Sequence, residues 1–234
     1  GQLGNGTTAN SSSPVSVSGV SDATAVSAGN GHTCAVLGSG AVQCWGWNSV
    51  GQLGIGTTAD SSSPISVSGI SNATSVSAGS NHTCAVLSGG ALQCWGSNSF
   101  GQLGNGTTTN SNSPVSVSGI SNATAVSVSN LHTCAVLSSS GVMCWGYNSM
   151  GQLGNNSSTH SSTPVAVNGI SNATLVAAGG SHTCAVLNGG GVWCWGDGTN
   201  GQTGNGSTTL RSLSPVAVGG VSDATSVTGG RNHS

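Results

Sequence analysis

Short apolar runs recur along this chain in a fixed order, each closed by Gly, Ser or Asn. In the first fifty residues they are PVSVSG (Pro14–Gly19), ATAVSAG (Ala23–Gly29), HTCAVL (His32–Leu37) and AVQCWG (Ala41–Gly46). Runs this short, rich in Val, Thr and aromatics and bounded by turn residues, predict β-strands. No stretch carries the 3.6-residue apolar period of a helix. The fold class read from the pattern is all-β.

The order then repeats. GQLG begins at residues 1, 51, 101 and 151 and returns as GQTG at 201, with one extra residue entering between Leu210 and Ser214. The units are therefore 1–50, 51–100, 101–150 and 151–200, followed by a partial fifth, 201–234, which makes about 4.7 blades. Four antiparallel strands per fifty-residue unit predict a β-propeller-type repeat array. The last residues, GGRNHS, stop one position short of the Cys that follows the His-Thr pair in every other unit. The reading expects the array to continue there, or a neighbouring chain to supply the missing hairpin by self-association.

The eight cysteines fall into pairs at the same separation: Cys34 and Cys44, Cys84 and Cys94, Cys134 and Cys144, Cys184 and Cys194. Folding HTCAVL against AVQCWG about the loop Gly38–Ser39–Gly40 sets Val36 opposite Val42 and Cys34 opposite Cys44. Residues so opposed come within reach of a disulfide. One cross-strand bridge per unit follows, each contributing roughly 2–3 kcal/mol by loop entropy. Such bridges place the protein in an extracellular or cell-surface setting. The rival, zinc held by His32, Cys34 and Cys44, lacks the paired-cysteine spacing of such sites.

Charge removes several functions. The chain has two basic residues, Arg211 and Arg231, and four acidic ones, with 3% charged residues overall against about 25% in ordinary domains. Phosphate neutralisation on nucleic acid needs more than this, and no apolar run is long enough to span a bilayer. No carboxylate pair, nucleophile elbow or phosphate loop is present. The reading is non-enzymatic, without cofactor or metal.

The repeated His32, His82, His132, His182 and His233 read as structural groups beside Gly-rich turns. Trp45, Trp95, Trp145 and Trp195 read as fillers between blades. Trp47 and Trp193 are not repeated, and His160 reads as isolated and exposed. Eleven Asn head N-glycosylation sequons. Asn72, Asn122 and Asn172 alternate with Asp22 and Asp223, which shares their turn chemistry but not glycosylation. Asn5, Asn105, Asn155 and Asn205, in GQLG-like loops, are the candidate glycan sites.

GHTCAVL, CWG and GQLG together resemble the regulator of chromosome condensation repeat family in its secreted, cysteine-bearing form, over residues 1–234. The resemblance implies a β-propeller, usually of seven blades. The family's best-known member promotes nucleotide exchange on a small GTPase and binds chromatin, roles that rest on charged loops and basic tails this chain lacks. Other members are extracellular binders, one an inhibitor of β-lactamases, and the cysteine usage resembles theirs. Two functions are then expected: a glycosylated extracellular structural protein of surface or fibril, favoured by the uniform repeats, or a secreted module recognising a protein or carbohydrate. The second requires loops that differ between units, as they do at Trp47, Ser97, Tyr147 and Asp197 and at Val50, Phe100, Met150 and Asn200.

Overall fold

A computed structural model describes the whole chain, Gly1–Ser234. It contains sixteen strands and no helix. The first sheet is β1 (Ala23–Ala28), β2 (His32–Leu37), β3 (Val42–Gly46) and β4 (Ser61–Ser66), hydrogen-bonded in that order. The second is β5 (Ala73–Ala78), β6 (His82–Leu87), β7 (Leu92–Gly96) and β8 (Ser111–Ser116). The third is β9 (Ala123–Val128), β10 (His132–Leu137), β11 (Val142–Gly146) and β12 (Ser161–Ala166). The fourth is β13 (Ala173–Ala178), β14 (His182–Leu187), β15 (Val192–Asp197) and β16 (Arg211–Ala217). All pairings are antiparallel, and the four sheets follow one another as propeller blades.

Blades and sequence units are out of phase. Each blade takes three strands from one unit and its outermost strand from the next: Cys44 of β3 pairs with Ile65 of β4, beyond the second GQLG. The outer strand also lies a little earlier than the apolar run suggests, at Ser61–Ser66 and not from Pro64 onward. Pro14–Gly19, expected as a strand, forms none. Its counterparts in later units pair with the Cys-Trp strand of the unit before, and residues 1–13 hold no such strand. At the other end the fifth unit contributes β16, and residues 218–234 lie beyond it without strand pairing.

Inside each blade, Cys34 is opposite Cys44 and Val36 opposite Val42. The turn is closed by Gly40 N–H to Leu37 O at 2.9 Å, with Gly40 at φ +81°. The sulfurs are bonded in all four pairs, with Cα atoms 4.0–4.1 Å apart. The middle strands bury both faces, which is why HTCAVL reads as a nearly continuous apolar run.

The disulfide face of one blade packs on the Ala-Trp face of the next. One cluster joins Cys34, Val36, Val42 and Cys44 to Ala85 and Trp95, and the same set recurs fifty residues on with Ala135 and Trp145. The polar half of the interface is also repeated. Trp95 Nε1–H donates to the main-chain O of Gln52 at 2.9 Å, and Thr83 Oγ1–H donates to the same oxygen at 2.9 Å. Thr83 Oγ1 also lies 2.7 Å from His32 Nε2. Since the Thr proton goes to the carbonyl, His32 donates from Nε2 and leaves Nδ1 as a bare acceptor. His82–Thr133–Gln102 and His132–Thr183–Gln152 repeat the latch. At the fifth unit Ser234 Oγ takes the Thr position, 2.8 Å from His182 Nε2 and 3.1 Å from Gln202 O. Gly54 allows the turn to close on the indole. At φ +71° a Cβ would sit 2.8 Å from the Trp95 ring.

These histidines are buried, and Nδ1 of His32, His82 and His182 has no partner. Ser129 provides one for His132, with Oγ 2.7 Å from Nδ1. Burial holds His32 down to about 4, and burial together with neighbouring histidines holds His82 and His132 down to about 3. A folded pKa below the unfolded 6.5 means the stability is complete above pH 6.5 and is lost as pH falls toward those values. Each such histidine withdraws about 1.4 kcal/mol per pH unit in that window. Thermal melts should therefore show stability dropping steeply from pH 6.5 to pH 4. A melting temperature constant over that range would contradict the latch.

Candidate functional site

The β1–β2 and β3–β4 loops of each blade leave from the same end, tied by Trp47 N–H to Gly31 O at 2.8 Å. The same bond recurs at Ser97, Tyr147 and Asp197. The opposite end carries the short hairpin turns, with Gly38 N–H on Asp22 O. The first end holds the long loops 47–60, 97–110 and 147–160 and, just beyond Asp197, 198–210, and it is the candidate binding face.

Each long loop but the last is built around one buried Asn. Asn98 Oδ1 accepts from Leu103 N–H at 2.9 Å, while its Nδ2 donates to Thr107 O and Thr109 O at 3.0 Å. Asn48 and Asn148 do the same. Sequence reasoning passed over these residues, although their fifty-residue recurrence was visible. In the fourth loop Gly198 stands in their place, and Asp197 Oδ1 accepts from Thr199 N–H and Oγ1. The Asn main-chain N–H meets a loop-end acceptor that varies: Asp60 Oδ1 at 2.7 Å, Asn110 Oδ1 at 2.8 Å and His160 Nδ1 at 2.9 Å.

That last residue is exposed but not isolated, contrary to the sequence reading. Its ring stacks on Tyr147, with centroids 4.6 Å apart and planes at 28°. Phe100 meets both edge-on, at 4.9 Å from Tyr147 and 5.3 Å from His160. Such edge and stacked pairs are favoured beyond simple area burial. The trio joins the end of the second unit's variable positions to the third unit's loop, so contiguity in space hides behind fifty residues of sequence. Trp47 lies on the same face, 45% exposed. All eight varied positions noted in the sequence fall on this face.

The remaining sequence-selected residues are elsewhere or internal. The cysteines lie inside the blades, wholly buried. Trp193 packs partly buried against the third blade's core. Asn5 and Asn105 are half-buried, with Oδ1 accepting from the sequon hydroxyl, Thr7 Oγ1 at 3.0 Å and Thr107 Oγ1 at 2.9 Å. Asn155 Oδ1 is bonded by Asn148 Nδ2 at 3.2 Å, and Asn205 is exposed. Each sits in a turn on the long-loop face, and its Nδ2, the atom a glycan would occupy, donates no hydrogen bond within the protein.

Replacing Asn98 by Ala would strand one buried N–H and two carbonyls. A loss of about 3 kcal/mol follows, read as a lower midpoint in chemical denaturation. An unchanged midpoint would show the loop to be held by other contacts.

Solved structures similar to this chain include RCC1-like propellers. Human WBSCR16 is 24% identical, with a TM-score of 0.73, covering 83% of this chain and 51% of that one. Prp20p from Saccharomyces cerevisiae, described with binding properties to Gsp1p and histones, is 21% identical, with a TM-score of 0.78 and coverage of 89% and 54%. The ectodomain of the Physcomitrella patens receptor kinase CR4 is 20% identical at a TM-score of 0.52, covering 88% and 47%. The chain thus spans about half the length of these proteins, and at this identity they speak for the fold alone. No curated protein matches it. The RCC1-like domain matches residues 1–234, and with the repeated blades and the His-Thr-Gln-Trp latch it places the chain in the RCC1-like domain family.

Proposed function

We propose that this chain is a non-enzymatic, extracellular recognition module that binds a protein through its long-loop face. The observation that carries the reading is the gathering of the non-repeated side chains, Trp47, Phe100, Tyr147 and His160 among them, on one end of an otherwise uniform array. A specific site needs side chains that differ from blade to blade. Tyr and Trp are the residues that most often anchor protein interfaces. Four disulfides support a setting outside the cytosol. The relatives' protein partners, Gsp1p and histones for Prp20p, give precedent for binding by this fold, not for the partner's identity.

A second reading, a glycosylated surface or fibril component, draws on the outer strands. SSSPIS, SNSPVS and SSTPVA are nearly identical and free of charge, and Asn5, Asn105, Asn155 and Asn205 are the glycan candidates beside them. Electron micrographs of discrete particles favour recognition, and continuous filaments favour the fibre.

Two outcomes are expected. Cross-linking to the native cell surface or secretome should capture a protein partner, and Phe100→Ala with Tyr147→Ala should reduce capture at least tenfold while leaving the melting temperature within a few degrees. Equal capture by the double variant would remove the long-loop face as the site. Intact mass of the secreted protein should exceed the polypeptide mass by whole glycans that disappear on enzymatic deglycosylation. A mass equal to the polypeptide would exclude occupied sequons.

A further inference from the structure

The inner strands β1, β5, β9 and β13 lie side by side, and the ends of these strands with the loops that follow them, together with Gly229–Arg231, line an open cavity of about 400 Å³ on the long-loop face. Its wall is mostly glycine and alanine. The tight approach is enforced by the backbone: a Cβ on Gly29 would lie 2.1 Å from Gly79 O, and one on Gly79 would lie 2.0 Å from Ser129 O. Main-chain bonds step from unit to unit around the wall, Asn30 N–H to Gly79 O at 3.2 Å and Ser80 N–H to Ser129 O at 3.3 Å. Neighbouring inner strands are also pinned by hydroxyls, with Ser27 Oγ accepting from Ala78 N–H at 2.9 Å. The wall is therefore rigid, and its chemistry is left to one side chain per unit.

Those side chains are Asn30, Ser80, Asn130, none at Gly180, and Arg231. None is acidic. The Ser80 hydroxyl donates to Asn130 Oδ1 at 2.5 Å. That bond uses the acceptor end of the Asn130 amide and turns its Nδ2 donors away from Ser80. Arg231 is one of only two cations in the chain. The other, Arg211, is spent on Ser149 O at 2.9 Å from its Nη1, whereas the Arg231 guanidinium is exposed at the rim and makes no hydrogen bond within the protein. The rim therefore holds an excess of N–H donors and one full positive charge, without an internal anion to satisfy them.

We propose that this axial cavity is an anion site that receives a carboxylate side chain of the bound protein. Planar guanidinium and amide donors match a carboxylate geometrically, and a cavity of this volume admits a Glu or Asp side chain with its stem. The scarcity of charge elsewhere makes the selection sharper, since few other positions on the chain attract an anion. The inference rests on the long-loop face being the recognition face. The Phe100 and Tyr147 variants test that reading, and the Arg231 variants test this one.

The test uses the whole chain at low ionic strength, with a capped Glu-rich peptide, a matched Gln-rich peptide and sodium sulfate as probes, read by calorimetry and by NMR of the arginine side-chain N–H signals. The Glu peptide is expected to bind and to shift the Arg231 signal. Arg231→Gln should weaken it at least tenfold, Arg231→Lys should restore part of the binding, and Arg211→Gln should leave it unchanged. Equal binding of the Gln peptide, or no loss in Arg231→Gln with its melting temperature intact, would overturn the site. Sulfate binding as tightly as the peptide would overturn the assignment to a partner's side chain.

Discussion

One main-chain oxygen per unit holds this array together. The carbonyl of the Gln in GQLG accepts the Trp indole N–H and the Thr hydroxyl of the following blade, and the Thr oxygen in turn receives the preceding blade's His. These groups are buried, where an unpaired donor or acceptor is costly. Removing one member therefore strands the others. The apolar contacts around them, Cys against Trp and Ala, are non-directional, and the hydrogen bonds fix which blade meets which face. The register of the whole propeller depends on that oxygen being where the Gly-flanked turn puts it.

The latch divides the chain into a uniform interior and a variable end. Residues inside the interface admit almost no change: His, Thr, Trp, Cys and Gln recur at every complete unit, with Ser129 beside His132 as a variation and, in the partial fifth unit, Ser234 for Thr. Ser234 keeps the hydroxyl, which is what the geometry uses. The first three long loops are freed from that constraint because a single buried Asn organises each from within. Its main-chain N–H donates to Asp, Asn or His, so the loop end changes character without changing shape. Aromatic residues collect there for this reason, and the axial rim varies in the same way.

Much of the fold was legible because the repeat exposes it. The fifty-residue period gave the blade, and the hairpin loop Gly38–Gly40 gave the Cys34–Cys44 register directly. The phase of the blade was not legible. Ser61–Ser66 reads locally as part of its own unit, and only the pairing of Cys44 with Ile65 assigns it to the one before. The site was half visible. Sequence variation marked Phe100 and Tyr147 separately, but their contact crosses a blade boundary, and His160 joins them through a loop that returns thirteen residues later. Asn48, Asn98 and Asn148 were missed because Asn in a Gly-Ser loop resembles ordinary turn chemistry; burial is what sets them apart.

The offset between blade and unit carries one more consequence. Every blade is closed by a strand encoded in the neighbouring unit, so any cut and rejoining one whole period apart restores a complete blade at the junction. A junction made one period apart therefore keeps the latch of Gln carbonyl, Thr hydroxyl and Trp indole, because those groups recur at the same fifty-residue spacing.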